Sequence, residues 1–176
     1  GLQGLFGSYF VTYIAENMGR PLEDANHFFS IAMTTAIGAR ILWGWVGSAL
    51  MPARRVVAYL AVVMVVAAVG MGSIQPEWSD MAIIGVAILF CISAISWHGL
   101  MMAEIARLSP EGQVGPVTGA CLAFAGAGMM SYPMIYALLL EATGDPALGF
   151  FIAALPAAVM AVKLYRPPKH VEGAAV

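Results

Sequence analysis

The side chains of this sequence that could ligate a metal or move protons are three histidines, two cysteines and ten acidic residues. His27, His98 and His170 lie far apart, and no His-Glu-x-x-His stretch sets two of them on one helix face, so no metal centre is expected. There is no Gly-x-Ser-x-Gly turn and no Gly-rich phosphate loop ending in Lys-Ser or Lys-Thr. Cys91 and Cys121 stand inside apolar runs and read as small buried hydrophobes rather than a disulfide pair. The sequence therefore predicts neither an enzyme nor a cofactor. What it offers is single polar side chains set in long apolar stretches. Arg40 is the sharpest case, the one charged residue between Asp24 and Arg54. His98 is the one histidine well inside an apolar stretch rather than at its edge, and the unperturbed pKa of a histidine lies near neutrality. Tyr9 and Tyr13, and likewise Tyr132 and Tyr136, are four residues apart and so share a helix face.

The elements that hold these residues follow from composition. Of the 176 residues, 61% are hydrophobic and 10% charged, and the mean hydropathy is +0.84. Soluble domains run near ~25% charged and ~45–50% apolar, so the chain is an integral membrane protein. A net charge of −2 supplies no basic field for nucleic acid. Six stretches approach the ~20 apolar residues a membrane helix needs: 2–18, 26–50, 56–74, 81–103, 114–140 and 147–164. Each break between them holds a proline, Pro21, Pro52, Pro76, Pro110 or Pro146, which ends a helix by lacking an N–H. The runs lack the period-2 alternation of a membrane barrel. The expected fold is all-α: six transmembrane helices in one bundle over residues 1–165, with a tail at 166–176.

Charge gives the expected orientation. The first, third and fifth loops carry Arg20 as their only basic residue, among Glu16, Glu23, Asp24, Glu77, Asp80, Glu141 and Asp145. Arg54, Arg55, Arg107, Lys163, Arg166 and Lys169 lie on the other side. Short Lys/Arg-rich loops stay in the cytoplasm, which places the second and fourth loops and the C-terminal tail there. Gly1 is followed at once by apolar sequence, without initiator Met, basic leader or cleavage site. The expectation is a fragment that begins at the edge of a helix internal to a longer protein. Glycines inside the spans, with Gly115 and Gly119 in a GxxxG pair and Gly38, Gly44 and Gly47 in the second, predict close helix contacts. Pro133 and Pro156 are expected to kink the fifth and sixth helices.

The stretch from Gly38 to Arg55 places Arg40, Gly44 and Gly47 ahead of the basic pair Arg54–Arg55. It resembles the loop signature of the major facilitator superfamily, where an Arg-x-x-x-Gly stretch leads to an acidic residue and a basic cluster. Ser48 stands here at about the place of that acidic residue. The stretch Ser96 to Pro110, with Trp97, His98, Glu104 and Arg107, is similar to helix 10 of many bacterial members. Gly112, Gly115 and Gly119 follow as at the start of helix 11.

The resemblance implies that residues 1–176 are helices 7 to 12, the C-terminal half of a twelve-helix secondary transporter. Its partners would be the missing N-terminal half, membrane lipid and a small-molecule substrate with or without a coupling proton. It would be a multi-pass permease of a cell membrane, the bacterial inner membrane, working by alternating access as symporter or antiporter. The sixth span is not followed by the Pro-Glu-Thr end motif of sugar porters. Helices 7, 8, 10 and 11 line the cavity in that family. This makes Tyr9, Thr12, Tyr13, Thr34, Thr35, Ser93, Trp97, His98, Tyr132 and Tyr136 the substrate-lining candidates. Arg40 either snorkels to the interface or faces the cavity and draws in an anionic group. His98 either carries a proton or packs against a neighbouring helix. At the cytoplasmic end, Arg54 or Arg55 facing Glu104 would form a gate; alternatively Glu104 pairs with Arg107 three residues on. The competing function is a non-transporting six-span protein, a scaffold or an unrecognised intramembrane enzyme.

Overall fold

The computed structural model describes residues 1–165. Helix fills most of it, and no strand occurs among the described residues. α1 spans Leu2–Thr12 and passes into a π-helical turn at Tyr13–Asn17. α2 spans Leu22–Ala49 and α3 Ala53–Gly72, with Pro21 and Pro52 just ahead of their first turns. α4 spans Asp80–Phe90, and a second π-helical turn at Cys91–Ile95 precedes α5 at His98–Leu108. α6 spans Val114–Thr143 and α7 Pro146–Tyr165. The tail 166–176, expected in the cytoplasm, lies outside the described residues.

Five helical runs are long and apolar enough to cross a membrane: α2, α3, the α4–α5 run Asp80–Leu108, α6 and α7. The expected first span falls short of that length. Its eleven α-helical and five π-helical residues end before Gly19, whose φ of 64° only glycine adopts readily. Such a run reaches about 24 Å, against ~30 Å of hydrocarbon. The expected fourth span is longer than its apolar stretch, and it is broken near the middle rather than continuous.

The main core forms where α1 meets its neighbours. The rings of Phe6 and Phe10 stack at 4.6 Å, and Phe6 lies 4.9 Å from Phe90 of α4 and 5.6 Å from Phe29 of α2. α3 and α7 make the most extensive pairing in the fold. Buried Ala67 and Ala68 on one side and Ala153, Ala154 and Ala157 on the other let their backbones approach. The glycines expected to do this work mostly do not. An added Cβ at Gly38, Gly44, Gly115 or Gly119 would meet nothing within 4 Å, while Gly47 packs on Leu100. Within this chain the GxxxG pair is an open face. α6 as a whole is covered little, with Tyr136 its one buried residue. Helix continues through Pro133 and Pro156.

Candidate functional site

Arg40 lies on the exposed side of α2, nine residues from its Ala49 end. At 1.5 Å per residue that is about 13 Å, close to half the hydrocarbon thickness. Among the described residues it belongs to neither ion pair. Its turn is nonetheless firmly placed. Trp43, three residues on, donates its indole N–H to the Ile92 carbonyl at 2.8 Å. Four residues before Arg40, the Ala36 carbonyl accepts from the buried Ser96 hydroxyl at 3.2 Å.

Asn26, Ser30 and Thr34, spaced four apart, are also exposed on α2, with Ser30 and Thr34 about 80° and 120° around the helix from Arg40. Ser8 and Thr12 are likewise spaced and exposed on neighbouring α1. In α2 the hydroxyls are satisfied within their own helix: Ser30 donates to Asn26 and Thr34 to Ser30, each at 2.8 Å. Thr35 donates to Ala32 at 2.6 Å and stays half-buried. A partner one turn back frees a hydroxyl to face any direction, so the need for a partner does not by itself turn it inward.

The remaining sequence candidates gather elsewhere. Tyr9 and Tyr136 lie ring to ring at 4.5 Å, and Tyr13 and Tyr136 both meet Phe150 of α7, at 5.1 and 5.6 Å. The Tyr136 hydroxyl donates to the Pro146 carbonyl at 3.1 Å. Tyr13 and Tyr136 are buried, so this cluster knits α1, α6 and α7 together. Tyr132 packs beside Gly1. Ser93 is buried and donates to Leu89 and Phe90. Trp97 and His98 line a cavity of about 500 Å³ between α3, α5, α6 and α7, with Gln3 at its α1 side and largely apolar walls otherwise. A ring nitrogen of His98 lies 3.2 Å from the Ile95 carbonyl, and its ring lies 4.6 Å from that of Trp97. Arg40 is not among the residues lining this cavity.

At one end of the bundle, both carboxylate oxygens of Glu104 are held by Arg107, at 2.8 and 2.6 Å. Arg54 and Arg55 open α3, whose Val56 and Leu60 pack on Leu100 of α5, so all four gate candidates share that end. At the other end Arg20 donates to the Trp78 carbonyl at 2.8 Å and pairs with Asp80 at 3.1 Å. It ties the α1–α2 turn to the start of α4. With side chains 29% and 54% exposed, the pair is well screened, and Asp80→Asn is expected to cost below about 1 kcal/mol. A larger loss in thermal unfolding of the purified protein would mean the tie holds the fold.

Sequence reasoning passed over Ser8, Asn26 and Ser30, though their four-residue spacing with Thr12 and Thr34 was there to be read. It also passed over Trp43 and Ser96, whose partners lie about fifty and sixty residues away and leave no local signal.

Over 142 residues the chain is 30% identical to the probable nitrate/nitrite transporter NarK2 of Mycobacterium tuberculosis, in strains CDC 1551 / Oshkosh and ATCC 25618 / H37Rv alike. The match covers 80% of this chain and 34% of each relative, so the chain spans about a third of the length of the curated relatives it matches. No protein-family model matches the chain. No solved structure matches it either. Five helical runs of membrane-crossing length and apolarity, in a chain similar to a protein described as a probable transporter, make this a multi-pass membrane protein.

Proposed function

We propose that the chain is the C-terminal half, helices 7 to 12, of a facilitator-type secondary transporter that moves a small inorganic oxoanion, nitrate or nitrite, by alternating access. The observation that carries this reading is Arg40. It is a guanidinium on the exposed side of α2 within its membrane-crossing length, in a chain similar to a probable nitrate/nitrite transporter. A charge at the centre of a span costs at least ~2.5 kcal/mol on insertion scales, which selects for a use. The planar fork of Arg matches the edge of a planar oxoanion with two parallel N–H···O bonds, which a Lys ammonium does not. Ser8, Thr12, Asn26, Ser30 and Thr34 would give the exposed faces of α1 and α2 polar groups for a partly dehydrated ion. His98, in a separate cavity, is the group suited to a coupling proton. The open faces of α2 and α6 would be covered by the N-terminal half, and the exposed GxxxG pair supports that arrangement.

With the basic loops in the cytoplasm, Arg54, Arg55, Glu104 and Arg107 stand at the inner end. There the Arg107 fork on Glu104 would have to exchange for Arg54 or Arg55 when the gate closes. The test is nitrate flux into proteoliposomes. The complete transporter, with six further helices ahead of residue 1, is expected to carry nitrate down an imposed gradient. Residues 1–176 alone are expected to match empty vesicles, since half the path is missing. Flux through the chain alone, or none through the complete protein, would overturn the reading.

A further inference from the structure

The π-helical turn between α4 and α5 breaks the regular backbone ladder near the middle of a membrane-crossing run. Carbonyls freed there need partners, because the hydrocarbon supplies none. Trp97 donates to the Ala94 carbonyl at 3.0 Å and a ring nitrogen of His98 lies 3.2 Å from that of Ile95, while two further side chains bind the break to α2. The Trp43 indole donates to Ile92 at 2.8 Å, while the Ser96 hydroxyl is shared between Cys91 at 3.1 Å and Ala36 at 3.2 Å. On α2 these attachment points flank Arg40, one turn to either side. Ser96 and Cys91 are buried, so the joint is dry.

Beyond the break, α5 has room to move on one side. Trp97, His98 and Met101 face the cavity of about 500 Å³, whose opposite wall includes Leu122, Phe124 and Ala125 of α6. On its other side Leu100 rests against Gly47 of α2 and on Val56 and Leu60 of α3.

We propose that the α4–α5 break is a hinge and that Trp43 is the positioning residue that couples it to Arg40. An anion drawn to Arg40 shifts the turn between Ala36 and Trp43, and α2 passes that shift to the break through the indole and Ser96. α5 then swings into the cavity, carrying Glu104 at its far end. The bidentate pair with Arg107 lies wholly on α5, so it travels with the helix and does not resist the swing. The coupling rests on the anion reading of Arg40; the hinge and its ties to α2 do not.

Cys91, buried within the break, reports its opening. In proteoliposomes of the complete transporter, its reaction with N-ethylmaleimide is followed by mass spectrometry of the Cys91 peptide, with and without sodium nitrate. Trp43→Phe keeps the ring and removes the N–H. Labelling without nitrate is expected to rise roughly two- to tenfold, the range for one hydrogen bond. Nitrate should change the wild-type rate and change that of Trp43→Phe by less, a response that packing alone would not produce. Ser96→Ala, which cuts the second tie, should act in the same direction and decides the matter if Trp43→Phe does not reach the membrane. Labelling in both variants equal to wild type, or a wild-type rate indifferent to nitrate, would overturn the coupling. Nitrate flux by Arg40→Gln is measured separately, so a failure of the anion reading is told apart from a failure of the hinge.

Discussion

Arg40→Gln in the complete transporter is expected to raise the KM for nitrate roughly 30-fold or more, the effect of losing about 2 kcal/mol of a charge-assisted contact in a low-dielectric site. Glutamine keeps a hydrogen-bonding amide on a shorter stem and removes both the charge and the fork. Arg40→Lys separates those two. A lysine keeps a positive charge but presents a point rather than a planar pair of donors, so affinity should fall between wild type and Gln. The alternative role for Arg40, snorkelling along α2 to the interface, predicts the opposite pattern. Lysine snorkels equally well, so Arg40→Lys would then leave flux and KM unchanged. Initial nitrate uptake against concentration for the three proteins discriminates the two, provided the amount inserted in the membrane is matched. Unchanged KM in both variants would remove Arg40 from the substrate path.

The helices were legible in the sequence because apolar length and proline breaks are local quantities. Pro21 and Pro52 stand where α2 and α3 begin, and Pro146 opens α7. What was not legible depends on backbone geometry or on pairing across the bundle. Nothing in Cys91–Ile95 distinguishes a π-helical turn from the helix around it, since the apolar run continues through both. Glycines proved legible as small residues but not as contacts. The GxxxG spacing of Gly115 and Gly119 says that a close approach is possible there, and within this chain nothing approaches. Gly4, in no such motif, is where two backbones touch. For the candidate site, Arg40 could be singled out because one charge in an apolar helix is conspicuous on composition alone. The hydroxyls were harder: Thr34 could be named, but its bond to Ser30 one turn back removes the reason it was expected to face inward. Trp43 looks like any interfacial aromatic until α4 is placed beside it.

Gly4→Val is expected to displace α6. A Cβ built on Gly4 would fall on the backbone carbonyl oxygen of Met129, with that residue's carbonyl carbon and Cα only 3.0 and 3.1 Å away. These are backbone atoms of a continuous helix, so no rotamer change relieves the clash and α6 must move bodily by about 1 Å to restore van der Waals distance. Overpacking of this kind costs about 1–3 kcal/mol. Even Gly4→Ala should destabilise, although alanine is better than glycine in a helix by about 1 kcal/mol. Gly7 and Gly119 supply the contrast, since a Cβ at either meets nothing within 4 Å and both lie in helices. Gly7→Ala and Gly119→Ala should leave the stability of residues 1–176 unchanged or slightly raised. Because α6 has so little burial of its own, the Gly4 crossing and the Tyr136 cluster carry much of its attachment. Thermal unfolding in detergent ranks the variants, and Gly4→Val with a wild-type midpoint would show that α6 is not held at Gly4. In the complete transporter Gly119→Ala should lose its neutrality, because the proposed N-terminal half would then cover that face. The same substitution, harmless in one protein and disruptive in the other, would locate the junction between the halves on α6.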